Sequence, residues 1–150
     1  MWSIFYFIEQ SLDTAIIFLQ LIKESKKMIS YVTLGVSDLA KAKTFYSQLF
    51  YDLGAKVLVD MGRICFIGKD MKQPMLAVCV PFNESPAQPG NGNMVSFSPG
   101  SKEAVDALYK KAIELGATCD GAPGQRIPDV FYGAYVKDAD GNKLCFSYFG

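Results

Sequence analysis

Hydrophobic and polar positions change in the same order twice along the chain after its first 27 residues. Each half has an alternating segment typical of a strand, a segment with helical spacing, and three further strand candidates. In the first half the opening strand covers residues 29–36, and Ser37 or Asp38 caps a helix that runs to about Asp52. We expect Gly54 to end this helix, because glycine readily adopts the left-handed backbone conformation found at such ends.

The second half repeats these features at a similar spacing. Ser101 caps a predicted helix that runs to Leu115, and Gly116 ends it as Gly54 ends the first. The remaining strand candidates are residues 55–60, 63–67 and 75–80 in the first half, and residues 94–98, a segment near Thr118, 131–136 and 144–149 in the second. Internal repetition of this kind largely determines the architecture.

The pattern predicts one α+β domain over residues 28–150, with two βαβββ modules at residues 28–81 and 93–149. A segment rich in proline and glycine, residues 81–92, links the modules. Since each sheet presents an apolar face to its helix, we expect the helices on the outside of a curved mixed sheet. The opposite faces are expected to form a central cleft between the modules.

Residues 1–27 have a different pattern, with apolar residues at helical spacing and acidic residues opposite them. The apolar positions that set this spacing are Trp2, Phe5, Ile8, Leu12, Ile16, Leu19 and Ile22. We expect an amphipathic helix that buries its apolar face in a homodimer, or else on its own domain, because exposing that face to water is costly. Glu9 and Asp13 argue against a membrane span, and the scarcity of basic residues before the last turn argues against an interfacial helix.

Composition narrows the classes of function. The chain of 150 residues has 15 basic residues, 15 acidic residues and no histidine. The balanced charge provides no basic surface for nucleic acid, and the lack of histidine excludes histidine-dependent general-base catalysis and the commonest transition-metal ligand. The cysteines are scattered, without a C-x-x-C pair, so we expect reduced thiols and a cytoplasmic protein.

The C-terminal run contains an aromatic strand, a D-x-D-G-N turn and a returning strand. We expect Asp140-Gly141 to form a tight hairpin turn, since both residues tolerate positive φ. The run resembles the signature ending of the vicinal oxygen chelate superfamily, which contains glyoxalases, extradiol dioxygenases, and fosfomycin- and bleomycin-resistance proteins. The runs IxxVTLGVSDLAKAKTFY and GNGNMVSF are similar to the openings of that family's two modules. This resemblance covers residues 28–149 and implies the same fold as the internal repeat.

The resemblance also implies a metal site, and the chain departs from the family at three of its positions. Tyr31 and Met94 stand where members of the family carry histidine, and Cys145 stands where they carry the metal-binding glutamate. A phenol, a thioether and a thiol do not suit a hard divalent cation. We therefore predict no metal and no other cofactor, and a soft-metal site that uses Met94 and Cys145 is the alternative.

The predicted cleft has an apolar wall with a few polar tips, which is typical of small-molecule sites. The candidate ligand-binding residues are Tyr31, Phe66, Met94, Arg126, Tyr132, Tyr135 and Cys145. We predict no catalytic residue. Cys145 becomes a nucleophile only if a cation such as Arg126 lowers the pKa of its thiol, and the preferred interpretation is an inert core cysteine.

Three hypotheses for function follow from these features. The first is a metal-free protein that binds a small, partly apolar or aromatic molecule in the cleft, similar to the bleomycin-resistance branch of the family. The second is a glyoxalase- or dioxygenase-like enzyme with an atypical metal site, which stoichiometric metal in protein purified without chelators would reveal. The third is an interaction protein whose cleft is filled by its own side chains or by the N-terminal helix, and a cleft smaller than about 300 Å³ favours it.

Overall fold

The computed structural model describes residues 27–150, and the predicted repeat is present in this part of the chain. Module one contains β1 (Tyr31–Gly35), α1 (Leu39–Leu49), β2 (Lys56–Asp60), β3 (Ile64–Gly68) and β4 (Met75–Cys79). Module two contains β5 (Val95–Phe97), α2 (Lys102–Glu114), β6 (Thr118–Ile127), β7 (Phe131–Lys137) and β8 (Lys143–Phe149). The amphipathic helix predicted for the N-terminal extension lies outside the described residues.

Each module forms its own four-stranded mixed sheet, with the strand orders β1-β4-β3-β2 and β5-β8-β7-β6. The first and last strands of each module run parallel, and the other neighbouring strands are antiparallel. The α+β class and the βαβββ repeat are thus confirmed. The curved mixed sheet predicted from the sequence consists of two four-stranded mixed sheets, one in each module.

Side-chain caps begin both helices. Asp38 accepts a hydrogen bond from the Lys41 backbone N–H at 3.0 Å, and Ser101 caps α2 in the same way at 3.1 Å. Helix α1 ends at Leu49, earlier than the pattern predicts, because the chain then tightens into a short 3-10 turn that stops at Gly54. No helix in the described part of the chain has the length and apolarity needed to cross a bilayer.

Strand β6 is the element that the sequence pattern underestimates. The pattern predicts a short strand near Thr118, whereas β6 continues through Pro123 and Gly124 to Ile127. Proline and glycine are typical of turns, but β6 is an edge strand, where a proline does not interrupt pairing on both sides. Register irregularities with β7 accompany these residues. The extra length brings Arg126 into the sheet.

Both modules contribute to one hydrophobic core. The buried residues of the two helices are Ala42, Tyr46, Leu49, Val105, Leu108 and Ala112. Phe50, after α1, and Phe97, in β5, connect the halves with ring centroids 4.4 Å apart. Burying a large apolar side chain stabilises a fold by about 1.5–3 kcal/mol, so the modules stabilise each other.

The loop between β7 and β8 holds the D-x-D-G-N residues and joins the two modules. Asp138 accepts a hydrogen bond from the Tyr46 hydroxyl of α1 at 2.7 Å. Asn142 donates from Nδ2 to the carbonyl oxygen of the last β1 residue at 2.9 Å. Asp140 accepts from the backbone N–H of Ser37 at 2.9 Å and from its hydroxyl at 2.5 Å. These contacts fix the hairpin of module two against the first strand and helix of module one.

This connection is longer than the tight turn predicted at Asp140-Gly141, since residues 138–142 separate β7 from β8. The Asp138 carboxylate accepts backbone hydrogen bonds from Asp140 at 3.0 Å and Asn142 at 2.8 Å. Gly141 has a φ of 84°, as a glycine in this type of turn permits. One acidic side chain therefore organises the loop internally and also binds α1.

Candidate functional site

The candidate site lies on the side of each sheet that faces away from its helix. In β8, Leu144 and Phe146 are core residues, so Cys145 between them lies on the opposite face. In β7, Tyr135 has the same placement between the core residues Ala134 and Val136. We define the helix-free face of module two by the residues on this side, which include Ser96, Arg126, Tyr135, Lys143, Cys145 and Ser147.

The ring of Tyr135 contacts two cations. The guanidinium carbon of Arg126 lies 5.3 Å from its centroid, and Lys143 Nζ lies 5.0 Å from the same centroid, both within cation–π range. Gly121 leaves room for the ring, because a Cβ there would lie 2.8 Å from Tyr135 Cδ2. Arg126 also donates a hydrogen bond to the Ala122 carbonyl oxygen. Two cations therefore contact one aromatic ring on the helix-free face.

Lys143 and Asp120 are site residues that the sequence prediction missed. Asp120 pairs with Lys143 at 2.9 Å and with Lys137 at 3.0 Å. The hydrogen bond from Lys143, followed by that from Lys137, lowers the pKa of the Asp120 carboxyl, and the bond to Asp120 raises the pKa of Lys143. Lys143 lies two residues before Cys145 in β8. Strand alternation was therefore the signal that could have found it.

Cys145 lies beneath the helix-free face with 0% of the residue exposed. Burial raises the pKa of its thiol, and the hydrogen bonds with Ser96 and Ser147 and the cations Lys143 and Arg126 offset only part of that rise. The hydroxyls of Ser96 and Ser147 lie beside the thiol, with their Oγ atoms 2.8 Å apart. A buried, protonated thiol is a weak nucleophile, so the geometry favours the inert cysteine over the nucleophile.

Tyr31 and Phe66 form an aromatic pair on the helix-free face of module one. Their ring centroids are 5.1 Å apart and their planes meet at 85°, an edge-to-face arrangement. Cys65 and Ile67, the neighbours of Phe66 in β3, are core residues, which places Phe66 on the other face. Tyr31 is 49% exposed. This pair is therefore open to contact by a ligand or a protein.

Met94 lines two adjoining cavities at the junction of the modules. The first, about 390 Å³, lies between the end of β1, the glycine-rich end of the linker and the start of β8. The second, about 660 Å³, continues from the same part of the linker to Asp120 and Lys143. Pro89 of the linker packs against the hairpin loop, where a Cβ on Gly141 would lie 3.1 Å from the Pro89 ring. Both volumes exceed the lower limit of about 300 Å³ for small-molecule sites.

Tyr132 packs against α2, so the prediction that it lines the cleft is wrong. Its hydroxyl donates a hydrogen bond to Asp106 of α2 at 2.7 Å, and Lys102 of the same helix lies 5.8 Å from its ring centroid. Tyr132 is three residues from Tyr135 in β7 and therefore points to the opposite, helix-bearing face. Of the candidate residues, the structure gathers Arg126, Tyr135 and Cys145, and Met94 joins them through cavities that it shares with Lys143.

A further cavity of about 600 Å³ lies beside α1, near the loop between β7 and β8. Phe45 and Leu115 contribute apolar surface, and Asp138 and Asp140 contribute carboxylates that already accept hydrogen bonds. None of the residues predicted as ligand-binding lines this cavity. It is therefore separate from the helix-free face.

The positions at which the resemblance implies metal ligands do not fit a divalent cation. Tyr31, Met94 and Cys145 offer a phenol, a thioether and a thiol whose pKa is raised by burial. Hard cations prefer carboxylate and carbonyl oxygen atoms. Within residues 27–150, no three His, Cys, Asp or Glu side chains are grouped as a metal site requires. These three side chains therefore do not supply the donor set of a hard divalent cation site.

Comparison with known proteins agrees with this fold. Residues 28–146 match the profile of the Glyoxalase/Bleomycin resistance protein/Dioxygenase superfamily. The chain is similar to a glyoxalase/bleomycin resistance protein from Albidiferax ferrireducens T118, with 35% identity, a TM-score of 0.74, and coverage of 83% of this chain and 100% of that chain. No curated protein matches the chain.

More distant structures share the architecture. A glyoxalase/bleomycin resistance protein/dioxygenase family enzyme from Burkholderia phytofirmans PsJN has 22% identity and a TM-score of 0.65, with coverage of 79% of this chain and 95% of that chain. The fosfomycin resistance protein FosX from Listeria monocytogenes has 20% identity and a TM-score of 0.63, with coverage of 81% of this chain and 93% of that chain. These two likenesses show the fold alone, whereas the profile match and the Albidiferax protein show descent. The chain belongs to the glyoxalase/bleomycin resistance protein/dioxygenase superfamily.

Proposed function

We propose that the protein binds a small, partly apolar or aromatic molecule on the helix-free face of module two, without a metal ion. The observation that carries this proposal is the contact of Arg126 and Lys143 with the ring of Tyr135, together with the two cavities that Lys143 and Met94 line. These residues offer an aromatic surface, an adaptable thioether and a few polar groups, which is the composition of small-molecule sites. Membership of the superfamily supports a small-molecule-binding or enzymatic role.

Binding without turnover is the role that these side chains support best. The chain has no histidine to act as a general base. Burial raises the pKa of the Cys145 thiol, which keeps it from acting as a thiolate nucleophile. The hydroxyl of Ser96, which also pairs with that of the buried Ser147, and the phenol of Tyr135 serve as hydrogen-bonding groups for a ligand. We therefore propose a binding module rather than an enzyme.

We also propose that the protein forms a homodimer in the reducing cytoplasm. Exposed apolar side chains cluster at one end of the second sheet, with Ile127 at 53%, Val130 at 51% and Phe149 at 72% exposure. Such a patch is typical of a protein interface, and a second copy of the chain is the partner we propose for it. The four cysteines, which all lie among the described residues, are free thiols, as a reducing compartment would keep them.

A binding screen tests the proposed function. EDTA-treated protein is titrated with a panel of small neutral and charged aromatic molecules, and binding is followed by melting temperature and ligand-observed NMR. We expect bound molecules to raise the melting temperature, because they stabilise only the folded state. Ser96→Trp fills the helix-free face and should abolish binding, whereas Gln48→Trp, on the exposed surface of α1, should leave it unchanged.

The screen also distinguishes the other hypotheses. Failure of every panel member to bind, or equal loss in the Ser96→Trp and Gln48→Trp variants, would contradict the proposed function. Stoichiometric nickel, zinc, iron or manganese in protein purified without chelators would support a metal enzyme instead. Absence of binding together with partner-dependent stabilisation would support an interaction protein.

A further inference from the structure

Positive charge is concentrated on the helix-free face of module two, although the whole chain has a formal net charge of zero. Arg126, Lys137 and Lys143 lie on this face, and among the described residues the one carboxylate paired with any of them is that of Asp120. Asp120 is shared between the two lysines, at 3.0 and 2.9 Å. Among the described residues, no carboxylate lies within ion-pair distance of Arg126. The positive charge of this arginine is therefore not balanced by that part of the chain.

Two contacts of Arg126 restrain its guanidinium group in a position where an anion can bind. The group lies 5.3 Å from the centroid of the Tyr135 ring, and one of its nitrogens donates to the Ala122 carbonyl oxygen. A guanidinium has several further N–H donors in a planar fork, and this fork matches the paired oxygens of a carboxylate or phosphate. Since the contacts already restrain the side chain, less conformational entropy is lost when an anion binds.

Other groups on the same face favour the same class of ligand. Lys143 Nζ lies 5.0 Å from the centroid of the Tyr135 ring, so a second cation contacts the ring that Arg126 contacts. Lys143 and Arg126 both act to lower the pKa of the Cys145 thiol, as cations on the same side of the sheet do. The hydroxyl of Ser96, paired with that of the buried Ser147, adds a polar group beside the thiol.

We propose that the ligand of the helix-free face carries an oxyanion, either a carboxylate or a phosphate, that the guanidinium fork of Arg126 binds. The apolar or aromatic part of the ligand then enters the cavities lined by Met94. This inference rests on the proposed function and narrows its ligand class to partly apolar organic acids. The neutral chain binds an anion here because its charges are unevenly distributed.

Arg63 provides a matched control for Arg126. Its guanidinium carbon lies 5.4 Å from the centroid of the Phe82 ring, and Nη1 donates to the Val80 carbonyl oxygen at 2.8 Å. It therefore has the same kind of aromatic and carbonyl contacts, but it belongs to module one. Replacing Arg63 removes an equivalent charge from the protein without changing the helix-free face of module two.

The test compares aromatic acids with a neutral molecule of the same shape. Benzoate, phenyl phosphate, inorganic phosphate and benzamide are titrated into the full-length wild-type protein by calorimetry at low salt. We expect at least one aromatic acid to bind about tenfold more tightly than benzamide, because charge-assisted hydrogen bonds to arginine are strong. Whichever of benzoate and phenyl phosphate binds more tightly shows whether the site prefers a carboxylate or a phosphate. The affinity for inorganic phosphate shows how much the oxyanion contributes to binding without an aromatic ring.

The variants separate charge from geometry. Arg126→Gln should remove the preference for the acid and leave benzamide binding unchanged, and Arg126→Lys should restore only part of the preference, since it keeps the charge without the fork. Arg63→Gln should bind both molecules as the wild type does. Circular dichroism confirms that each variant is folded.

Two results would contradict the oxyanion inference without contradicting the proposed binding function. These are equal affinities of the wild type for the aromatic acids and benzamide, and unchanged acid binding in Arg126→Gln. Both results leave the proposed binding function intact, because a ligand still binds. If none of these molecules binds, the oxyanion inference is overturned, and the wider panel with its neutral members decides the binding function separately.

Discussion

At the scale of single residues, the hydroxyl of Tyr46 couples the two modules. Tyr46 is 0% exposed, and its hydroxyl donates to Asp138, which is 7% exposed, over 2.7 Å. We predict that Tyr46→Phe lowers the free energy of unfolding by about 1.5–3 kcal/mol, because a buried carboxylate loses a donor. Urea denaturation measures this change. Tyr51→Phe is the control, since Tyr51 is 73% exposed, and an equal loss in both variants would contradict the prediction.

The same phenol makes stability depend on alkaline pH. Burial, followed by the negative charge of Asp138, raises the pKa of Tyr46. The folded protein then keeps a proton that the unfolded chain releases above about pH 10, so this contribution to stability is complete below that pH and is lost as the pH rises further. We expect the free energy of unfolding to fall more steeply above about pH 10 in the wild type than in Tyr46→Phe. Parallel curves for the two proteins would show that Tyr46 is not the group responsible.

At the scale of elements, the loop between β7 and β8 is the joint between modules. Asn142 is 7% exposed, and its Nδ2 donates to the Gly35 carbonyl oxygen and to Asp138 Oδ2, each at 2.9 Å. We predict that Asn142→Ala costs about 1–3 kcal/mol, because buried acceptors lose their donor. Asn91→Ala, at an exposed linker position, should be neutral in the same denaturation experiment. Equal stability of both variants would mean that the joint contributes little.

Alternation along strands explains which part of the site the sequence predicts. A strand has a period of two, so once Leu144 and Phe146 enter the core, Cys145 must face the other way. The same rule places Tyr132 and Tyr135 on opposite faces of β7. The sequence prediction put both in the cleft because β7 has aromatic residues on both faces. Alternation could also have identified Lys143, which shares a face with Cys145.

The remaining parts of the site depend on contacts that local patterns do not encode. Arg126 joins the sheet through β6, whose Pro123 and Gly124 look like a turn until pairing with β7 is known. The Met94 cavities depend on the packing of Pro89 against Gly141. A loop has no periodic pattern that predicts such a contact between residues distant in the sequence.

At the scale of the whole molecule, the exposed apolar end of the second sheet predicts self-association. Phe149 is 72% exposed and packs against Phe131, with ring centroids 5.2 Å apart. We predict that Phe149→Ser weakens the dimer by about tenfold or more in sedimentation equilibrium, since interface aromatics carry much of the binding energy. Phe82→Ser is the control, because Phe82 is 87% exposed but lies outside this patch. A wild type that is monomeric at all concentrations, or equal effects of both substitutions, would contradict the proposed dimer.

We propose that a small molecule binds the helix-free face of module two without a metal ion. Methionine methyl NMR tests this proposal, because Met94 lines both cavities that Lys143 of that face also lines, whereas Met61 and Met71 are exposed in module one. The full chain is labelled at its methionine methyl groups, kept in EDTA, and titrated with the tightest molecule of the panel. We predict that the Met94 signal shifts with saturation while the Met61 and Met71 signals stay in place. A Met94 signal that does not move, or that moves only after a divalent metal is added, would contradict the claim.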